Sequence, residues 1–243
     1  EISACLVGSE MCIRDRHAQH LEALFTMLDR IGLRLHPDKT VVGADVVEFL
    51  GHMVCGSGIA PMQARTSALT ALQAPTSLTQ CRSLMGLFNY YRVYIEGFSA
   101  ISAPINALLR KDVVWGPGTW TPECEAALQQ LKDALSTPGR GLWRVEPDPN
   151  KPLLLYTDWS NQGISAVLGQ VDEDGNERLC ACVSRSLNVH ERNYNSCKGE
   201  LLAAVWACKV MRPYLHGRHF ALITDHEPLK WLASNKNLTG QFA

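Results

Sequence analysis

No run of apolar residues in this 243-residue chain approaches the ~20 needed to cross a bilayer as a helix; the longest candidates, such as Leu201–Cys208, are far too short. No signal-peptide pattern is present either, and no membrane partner is expected. Excess charge is also missing. Lys and Arg number 23 against 24 Asp and Glu, a net charge of −1, so bulk composition carries no signal for a polyanion. Paired cysteines are lacking too. The nine stand scattered at 5, 12, 55, 81, 124, 180, 182, 197 and 208, with no disulfide framework, as expected of an intracellular, reducing compartment. Cys180-x-Cys182 has no second pair at ligand spacing, which argues against a zinc-thiolate site. Internal repeats and low-complexity tracts are absent. What is present, 46% hydrophobic and 19% charged residues with 18 Gly and 12 Pro, is ordinary globular composition. It excludes collagen, coiled coil and wholesale disorder. The length allows one large domain or two small ones.

Residues 1–16 read as non-native. Glu1–Arg16 has no periodicity and no cap, and the chain opens without Met. Leu6–Arg16 back-translates in frame into a sequence that resembles a transposase-type sequencing adapter with its mosaic end. The genuine chain is then expected to start near His17. Removing the stretch leaves 21 residues of each sign, unevenly placed. Residues 61–111 carry Arg65, Arg82, Arg92, Arg110 and Lys111 against Glu96 alone, a balance of +4, whereas residues 112–150 balance to −3. A local basic surface is what a phosphate backbone selects, although a solvated helix face has the same composition.

His17–Ile31 sets Leu21, Leu24, Phe25, Leu28 and Ile31 at the spacing of an amphipathic helix, closed by Gly32. Leu33–Leu35 is extended, and Pro37-Asp38 opens a turn. Val46–Val54 is rich in β-branched residues, and Gly56-Ser57-Gly58 turns it back, which predicts a hairpin. Helices follow over Gln63–Leu72, from the capping box Ser77-x-x-Gln80 to about Tyr91, over Pro104–Arg110, and from Thr121. The last has Pro122 at its first position and Cys124, Leu128, Leu131 and Leu135 on one face. Four prolines and two glycines within 137–152 predict a linker. Beyond it Leu153–Thr157, Gly163–Gln170 and Arg178–Ser184 read as strands. Ser196–Tyr214 reads as a long helix, His219–Thr224 as a fourth strand, and Pro228–Leu232 as the start of another helix. That order predicts an α/β domain with a mixed sheet.

Three acids stand out by position. Asp158 follows the first of these strands, Glu200 lies in the first turns of the long helix, and Asp225 ends the fourth strand. If the two strands are neighbours, both aspartates emerge at one sheet edge, where α/β sheets bind ligands. Three carboxylates held together repel unless a multivalent cation lies between them. An all-oxygen donor set selects Mg²⁺ or Mn²⁺, and a pair of such ions suits phosphodiester hydrolysis. Spacing alone equally allows Asp158 as a turn residue, Glu200 as a solvated helix charge and Asp225 as a helix cap.

Further residues carry a resemblance. Tyr156-Thr157-Asp158 with Gly163-Ile164-x-Ala166-Val167-Leu168 opens the pattern. Ser184-Arg185-Ser186-Leu187, Glu191-Arg192-Asn193-Tyr194 and Glu200-Leu201-Leu202-Ala203 continue it. Arg212-Pro213-Tyr214-Leu215-x-Gly217 and Thr224-Asp225-His226-x-Pro228-Leu229-x-Trp231-Leu232 complete it. In this order they resemble the ribonuclease H domain of Ty3/gypsy-type LTR retrotransposon polyproteins. Upstream, Gly32-Leu33-x-Leu35-x-Pro37-x-Lys39 and Glu48-Phe49-Leu50-Gly51-His52 resemble the end of a reverse transcriptase palm and its primer grip. Leu84-x-Gly86-Leu87-x-Asn89-Tyr90-Tyr91-Arg92 resembles the thumb.

The resemblance implies an α/β and α+β chain. Residues 17–60 would be palm end (a helix plus the primer-grip hairpin), 61–136 thumb and connection helices, and 137–152 a linker. Residues 153–243 would be a ribonuclease H-like mixed sheet truncated before its last strand and helix. Asp158, Glu200 and Asp225 would be catalytic metal ligands for two Mg²⁺, with Mn²⁺ as a substitute. Phe49, Leu50, Gly51 and His52 would support the primer strand, and Arg82, Asn89 and Arg92 would meet nucleic acid from the thumb. Phe49, Leu50, Leu84, Leu87 and Phe88 also read as core. The implied partners are an RNA–DNA hybrid, a template–primer duplex and the remainder of a polyprotein, in a cytoplasmic particle or the nucleus. The implied activities are RNA-directed DNA synthesis by the parent and hydrolysis of the RNA strand of hybrids. A non-catalytic nucleic-acid-binding remnant and a spurious partial product are the alternatives. The sequence departs from the family pattern at three places: Trp159 stands where a small residue is usual, Ser165 for a Gly, and Lys198 for an acid. The polymerase Tyr-x-Asp-Asp motif and a fourth nuclease carboxylate are absent, and Glu227 and Asp172 are not obvious substitutes for the latter.

Overall fold

The computed structural model describes residues 10–137, 141–146, 148 and 150–225, with side chains from Arg16 onward. The chain divides into two compact units between Ala44 and Asp45.

In the first unit α1 spans Glu10–Arg30, seven residues further back than the spacing from His17 predicts. A nucleated helix propagates through any residues that tolerate it, and Glu, Met and Arg propagate well. Its end is a Schellman motif. The Gly32 N–H donates to the Asp29 carbonyl and the Leu33 N–H to that of Leu28, both at 3.0 Å, with Gly32 at φ 74°. Leu24, Phe25 and Ile31 of the apolar stripe are exposed. A single 3₁₀ turn at Pro37–Lys39 follows.

The second unit opens with β1 (Val46–Phe49), β2 (His52–Cys55) and β3 (Gly58–Pro61), an antiparallel meander. The single hairpin expected here is thus two. Phe49 pairs with His52, so Leu50-Gly51 is a two-residue loop. Both residues have positive φ, 48° and 80°, as a type I′ turn requires. A leucine does not advertise such a turn, which is why the pattern reads as one continuous strand.

Helices α2 (Gln63–Thr70), α3 (Leu78–Tyr90), α4 (Phe98–Ile101), α5 (Ala103–Ala107) and α6 (Pro122–Ser136) come next. The Ser77 side chain accepts from the Gln80 N–H at 3.3 Å, and the Gln80 side chain reaches back to the Thr76 N–H at 2.8 Å. Thr121 caps α6 at the Cys124 N–H. Cys81, Leu84, Met85 and Phe88 of α3 interdigitate with Cys124, Leu128, Leu131 and Leu135 of α6 in one core. Within 137–152, Leu142–Trp143 form β4, which pairs with β3 and closes the first sheet in the order β1-β2-β3-β4.

The second sheet contains β5 (Leu153–Trp159), β6 (Gly163–Val171), β7 (Glu177–Ser186) and β8 (Phe220–Ile223), ordered β7-β6-β5-β8. β5, β6 and β7 are antiparallel neighbours, and β8 runs parallel to β5, giving the predicted mixed sheet. Helix α7 (Ser196–Val210) makes the crossover, capped by the Asn195 side chain at the Lys198 N–H (2.9 Å). It packs through Gly199, Ala203, Ala204 and Ala207, a stripe of small residues that lets helix and sheet approach closely. Leu153, Leu155, Ala166 and Leu168 meet it from the sheet. The long helix expected to reach Tyr214 breaks at Met211, and α8 (Arg212–Leu215) restarts with Pro213 in its first turn, because proline cannot continue the hydrogen-bond ladder. The helix expected at Pro228–Leu232 lies outside the described residues.

Candidate functional site

The three acids come from β5, α7 and the segment that follows β8, which ends at Ile223 rather than at Thr224 as the sequence pattern suggests. Strand β5 is two residues longer than its apolar run, so Asp158 is the sixth of its seven residues rather than the residue after it. Tyr156 pairs with Ile223, the last residue of β8, in the parallel β5–β8 register, and Asp158 and Asp225 each lie two residues beyond that pair. Both aspartates are exposed. Glu200 approaches from α7 and is only 6% exposed.

Burial, then the negative charge of Asp158, then that of Asp225, push the Glu200 carboxyl up from 4.5 to about 7. The backbone N–H of Trp159, donating to the carboxylate, works the other way. Glu200 Oε2 is buried with no hydrogen-bond partner, as are Thr157 Oγ1 and Trp159 Nε1 on the same face of β5. The three acids therefore share one electrostatic environment. They do not close a cage: among the described residues no three His, Cys, Asp or Glu side chains stand close enough together to hold one metal ion. The donor chemistry nevertheless fits a hard divalent cation, since every donor is oxygen and one buried oxygen is unpartnered.

Behind the site Arg185 on β7 forks onto Glu191, Nη1 to Oε2 at 2.7 Å and Nη2 to Oε1 at 2.9 Å, and Glu191 also accepts from the Asn188 N–H at 2.9 Å. This ties the β7–α7 connection to the sheet and holds the Glu191 carboxyl below its usual range. Ser99 at the start of α4 donates its backbone N–H to Ser184 Oγ at 3.0 Å, joining the helical region to β7.

The second group of expected site residues lies at the β1–β2 turn and on α3. Phe49 is 61% exposed and Leu50 71%, and Leu87 is exposed as well. Their reading as core is corrected: only Leu84 and Phe88 of that set are buried. Phe49 precedes the tight turn and Leu50 lies in it, both exposed, while Leu87 lies off the buried stripe of α3. Gly51 is buried and His52 half-buried. Arg82, Asn89 and Arg92 are exposed, and Arg82, Gly86 and Asn89 recur at i, i+4 and i+7 on one open face of α3.

Sequence reasoning missed how the turn is held. The Tyr90 hydroxyl donates to the Leu50 carbonyl, and that of Tyr91 to the Gly51 carbonyl at 3.3 Å. The Tyr94 hydroxyl lies 2.8 Å from His52 Nδ1. His52 stacks on Tyr90 with ring centroids 5.1 Å apart. Burial lowers the His52 pKa, which favours the neutral ring. The signal was available as three tyrosines within five residues, but nothing in the spacing named their acceptor.

Comparison with known proteins agrees with this architecture. Residues 148–243 match the family described as the RNase H-like domain found in reverse transcriptase. The retrovirus-related Pol polyprotein from transposon 297 of Drosophila melanogaster is 36% identical over 220 residues, 90% of this chain and 20% of that one. The corresponding polyprotein from transposon gypsy is 31% identical over 233 residues, covering 91% and 22%. The transposon Tf2-3 polyprotein of Schizosaccharomyces pombe is 29% identical over 225 residues, covering 93% and 16%. The chain spans 16–23% of the length of such curated relatives. Among solved structures, the foamy viral protease-reverse transcriptase in complex with RNA/DNA hybrid superposes with a TM-score of 0.66 at 21% identity, over 93% of this chain and 30% of that one. The same protein in complex with dsDNA gives 0.67 at 21% identity, over 92% and 46%. That likeness is one of fold. Residues 148–243 are an RNase H-like domain of the kind found in reverse transcriptase, in a chain homologous to the Pol polyproteins of gypsy-type retrotransposons.

Proposed function

We propose that the carboxylate site hydrolyses the RNA strand of an RNA–DNA hybrid, and that the helical region with the β1–β2 turn supports the hybrid or a template–primer duplex. The observation that carries this reading is the parallel β5–β8 pairing, whose last pair, Tyr156 with Ile223, lies two residues before both Asp158 and Asp225, together with the buried Glu200 whose carboxyl feels both charges. Asp158, Glu200 and Asp225 would hold Mg²⁺, two ions by family likeness, or Mn²⁺. When bound, such ions supply positive charge to the attacking and leaving oxygens of a phosphodiester. The chain's own residues do the rest. Glu200, raised to about 7, shares its site with a proton near neutral pH and gives that proton up when a cation competes. Trp159 and the small-residue face of α7 exclude water from behind Glu200. The exposed Arg82, Asn89 and Arg92 meet phosphates and 2′-hydroxyls, so recognition proceeds by shape more than by base edges. Phe49 and Leu50 present an apolar tip to the primer strand. The exposed stripe of α1 fits contact with the remainder of a polyprotein, whose full length would carry RNA-directed DNA synthesis.

The domain limits proposed are those read from the sequence: palm end to residue 60, thumb and connection helices to 136, a linker to 152, then the nuclease domain. A reducing setting accords with the seven described cysteines, none of which forms a disulfide, and among the described residues no helix is long and apolar enough to cross a membrane. We assign the chain to a cytoplasmic particle or the nucleus.

The test is cleavage of an end-labelled hybrid by the full chain with Mg²⁺. Asp158→Asn and Glu200→Gln should abolish it; cleavage equal to the parent's overturns the assignment. The exposed arginines favour a second reading, a non-catalytic binding module. It predicts hybrid affinity unchanged by Asp158→Asn, with no cleavage by the parent.

A further inference from the structure

Trp159 follows Asp158 directly on β5. Side chains alternate along a strand, so its indole shares the α7-facing row with Leu153, Leu155 and Thr157. It packs against Ile164, Leu187 and Ala203. Where α7 crosses it, the helix presents Gly199. A Cβ built there would overlap the indole and stand 2.6 Å from its Nε1, a separation real Cβ atoms do not show. The ring cannot swing aside cheaply, because it is wedged in that cluster. Helix and strand therefore touch only because residue 199 has no side chain. The contact lies one residue from each of two carboxylates, Asp158 on the strand and Glu200 on the helix, and the Trp159 backbone N–H itself donates to Glu200.

We propose that Trp159 and Gly199 are a size-matched pair that positions Glu200 against Asp158 and Asp225. A bulky residue on β5 is compensated by a missing one on α7, so the helix keeps the height at which Glu200 reaches the strand ends. Both are positioning residues; neither contacts the substrate. This inference rests on reading the three acids as a cation-holding nuclease site. Enlarging residue 199 lifts the helix, and a misplacement of about 1 Å in such a site costs as much as 100-fold.

The experiment is a double-mutant cycle on the full chain: parent, Gly199→Ala, Trp159→Ala and both together, with Trp159→Phe as the conservative variant. Two quantities are read, the Mn²⁺ dissociation constant from the signal of free Mn²⁺ in electron paramagnetic resonance, and the urea midpoint. Gly199→Ala should weaken Mn²⁺ binding about tenfold or more when Trp159 is present and less than about threefold in the Trp159→Ala background. Trp159→Phe should hold Mn²⁺ within about threefold of the parent. Additive effects on Mn²⁺ binding overturn the positioning role while leaving the carboxylate site standing. A parent with no Mn²⁺ binding that Glu200→Gln abolishes overturns the nuclease reading, and the positioning role with it. If Gly199→Ala does not fold, folding of the double variant supports the pair, and failure of both overturns it.

Discussion

Replacing Glu200 by Gln should stabilise the chain above neutral pH and cost it about 1 kcal/mol in acid. The Glu200 carboxyl is buried, faces Asp158 and Asp225, and titrates near 7 rather than 4.5. The folded-state value lies above the unfolded one, so the folded chain keeps this proton through an interval in which the unfolded chain releases it. The contribution to stability is complete below about 4.5, shrinks as pH rises, and is lost beyond about 7. At ~1.4 kcal/mol for each pH unit, the interval corresponds to roughly 3 kcal/mol. Gln has the same shape and never ionises, so it escapes that loss. Its amide must instead fill the place of the unpartnered Oε2, at about 1 kcal/mol, leaving a net gain of about 2 kcal/mol. Urea denaturation of both proteins at about pH 5 and about pH 8 measures the difference directly. Adding Mg²⁺ at alkaline pH should then raise the parent's midpoint and not the variant's, because only the parent keeps all three ligands. Parallel pH profiles for the two proteins would refute the reasoning, since they would mean that Glu200 ionises as freely when folded as when unfolded.

Three further outcomes are expected. Leu50→Asn should raise stability by about 1 kcal/mol, because asparagine tolerates the left-handed backbone that leucine adopts here, and should weaken primer–template binding if the apolar tip touches the primer; a lower thermal midpoint argues against the type I′ geometry. Tyr91→Phe keeps the ring and removes the bond to the Gly51 carbonyl, so it should cost about 1 kcal/mol and speed amide exchange in β1 and β2; unchanged exchange means the hydroxyl does not hold the turn. Arg82→Gln should lower the slope of log affinity for hybrid against log salt by about one, whereas an unchanged slope removes this arginine from the phosphate-binding face.

Much of the second unit was legible in the order of residues. Caps and periodicity are local, so Ser77 and Thr121 mark helix starts from sequence, and the buried stripe of α6 is the one its spacing predicts. The mixed sheet followed from three strands, a crossover helix and a fourth strand. Local pattern misled where a residue accepts a conformation it does not favour: Leu50 in a left-handed turn divided one apparent strand into two. It also misled where proline interrupts an apolar helix pattern, at Pro213. Sequence alone singled out the acids near the ends of the two strands and in the first turns of the long helix. Only the tertiary structure decided that the strands leading to Asp158 and Asp225 are parallel neighbours, because the pairing of two strands distant in the chain is set by how the α7 crossover packs on the sheet. Likewise the tyrosines that hold the β1–β2 turn, and the glycine that makes room for Trp159, act across elements. Their meaning is a distance between elements, and spacing along the chain does not carry it.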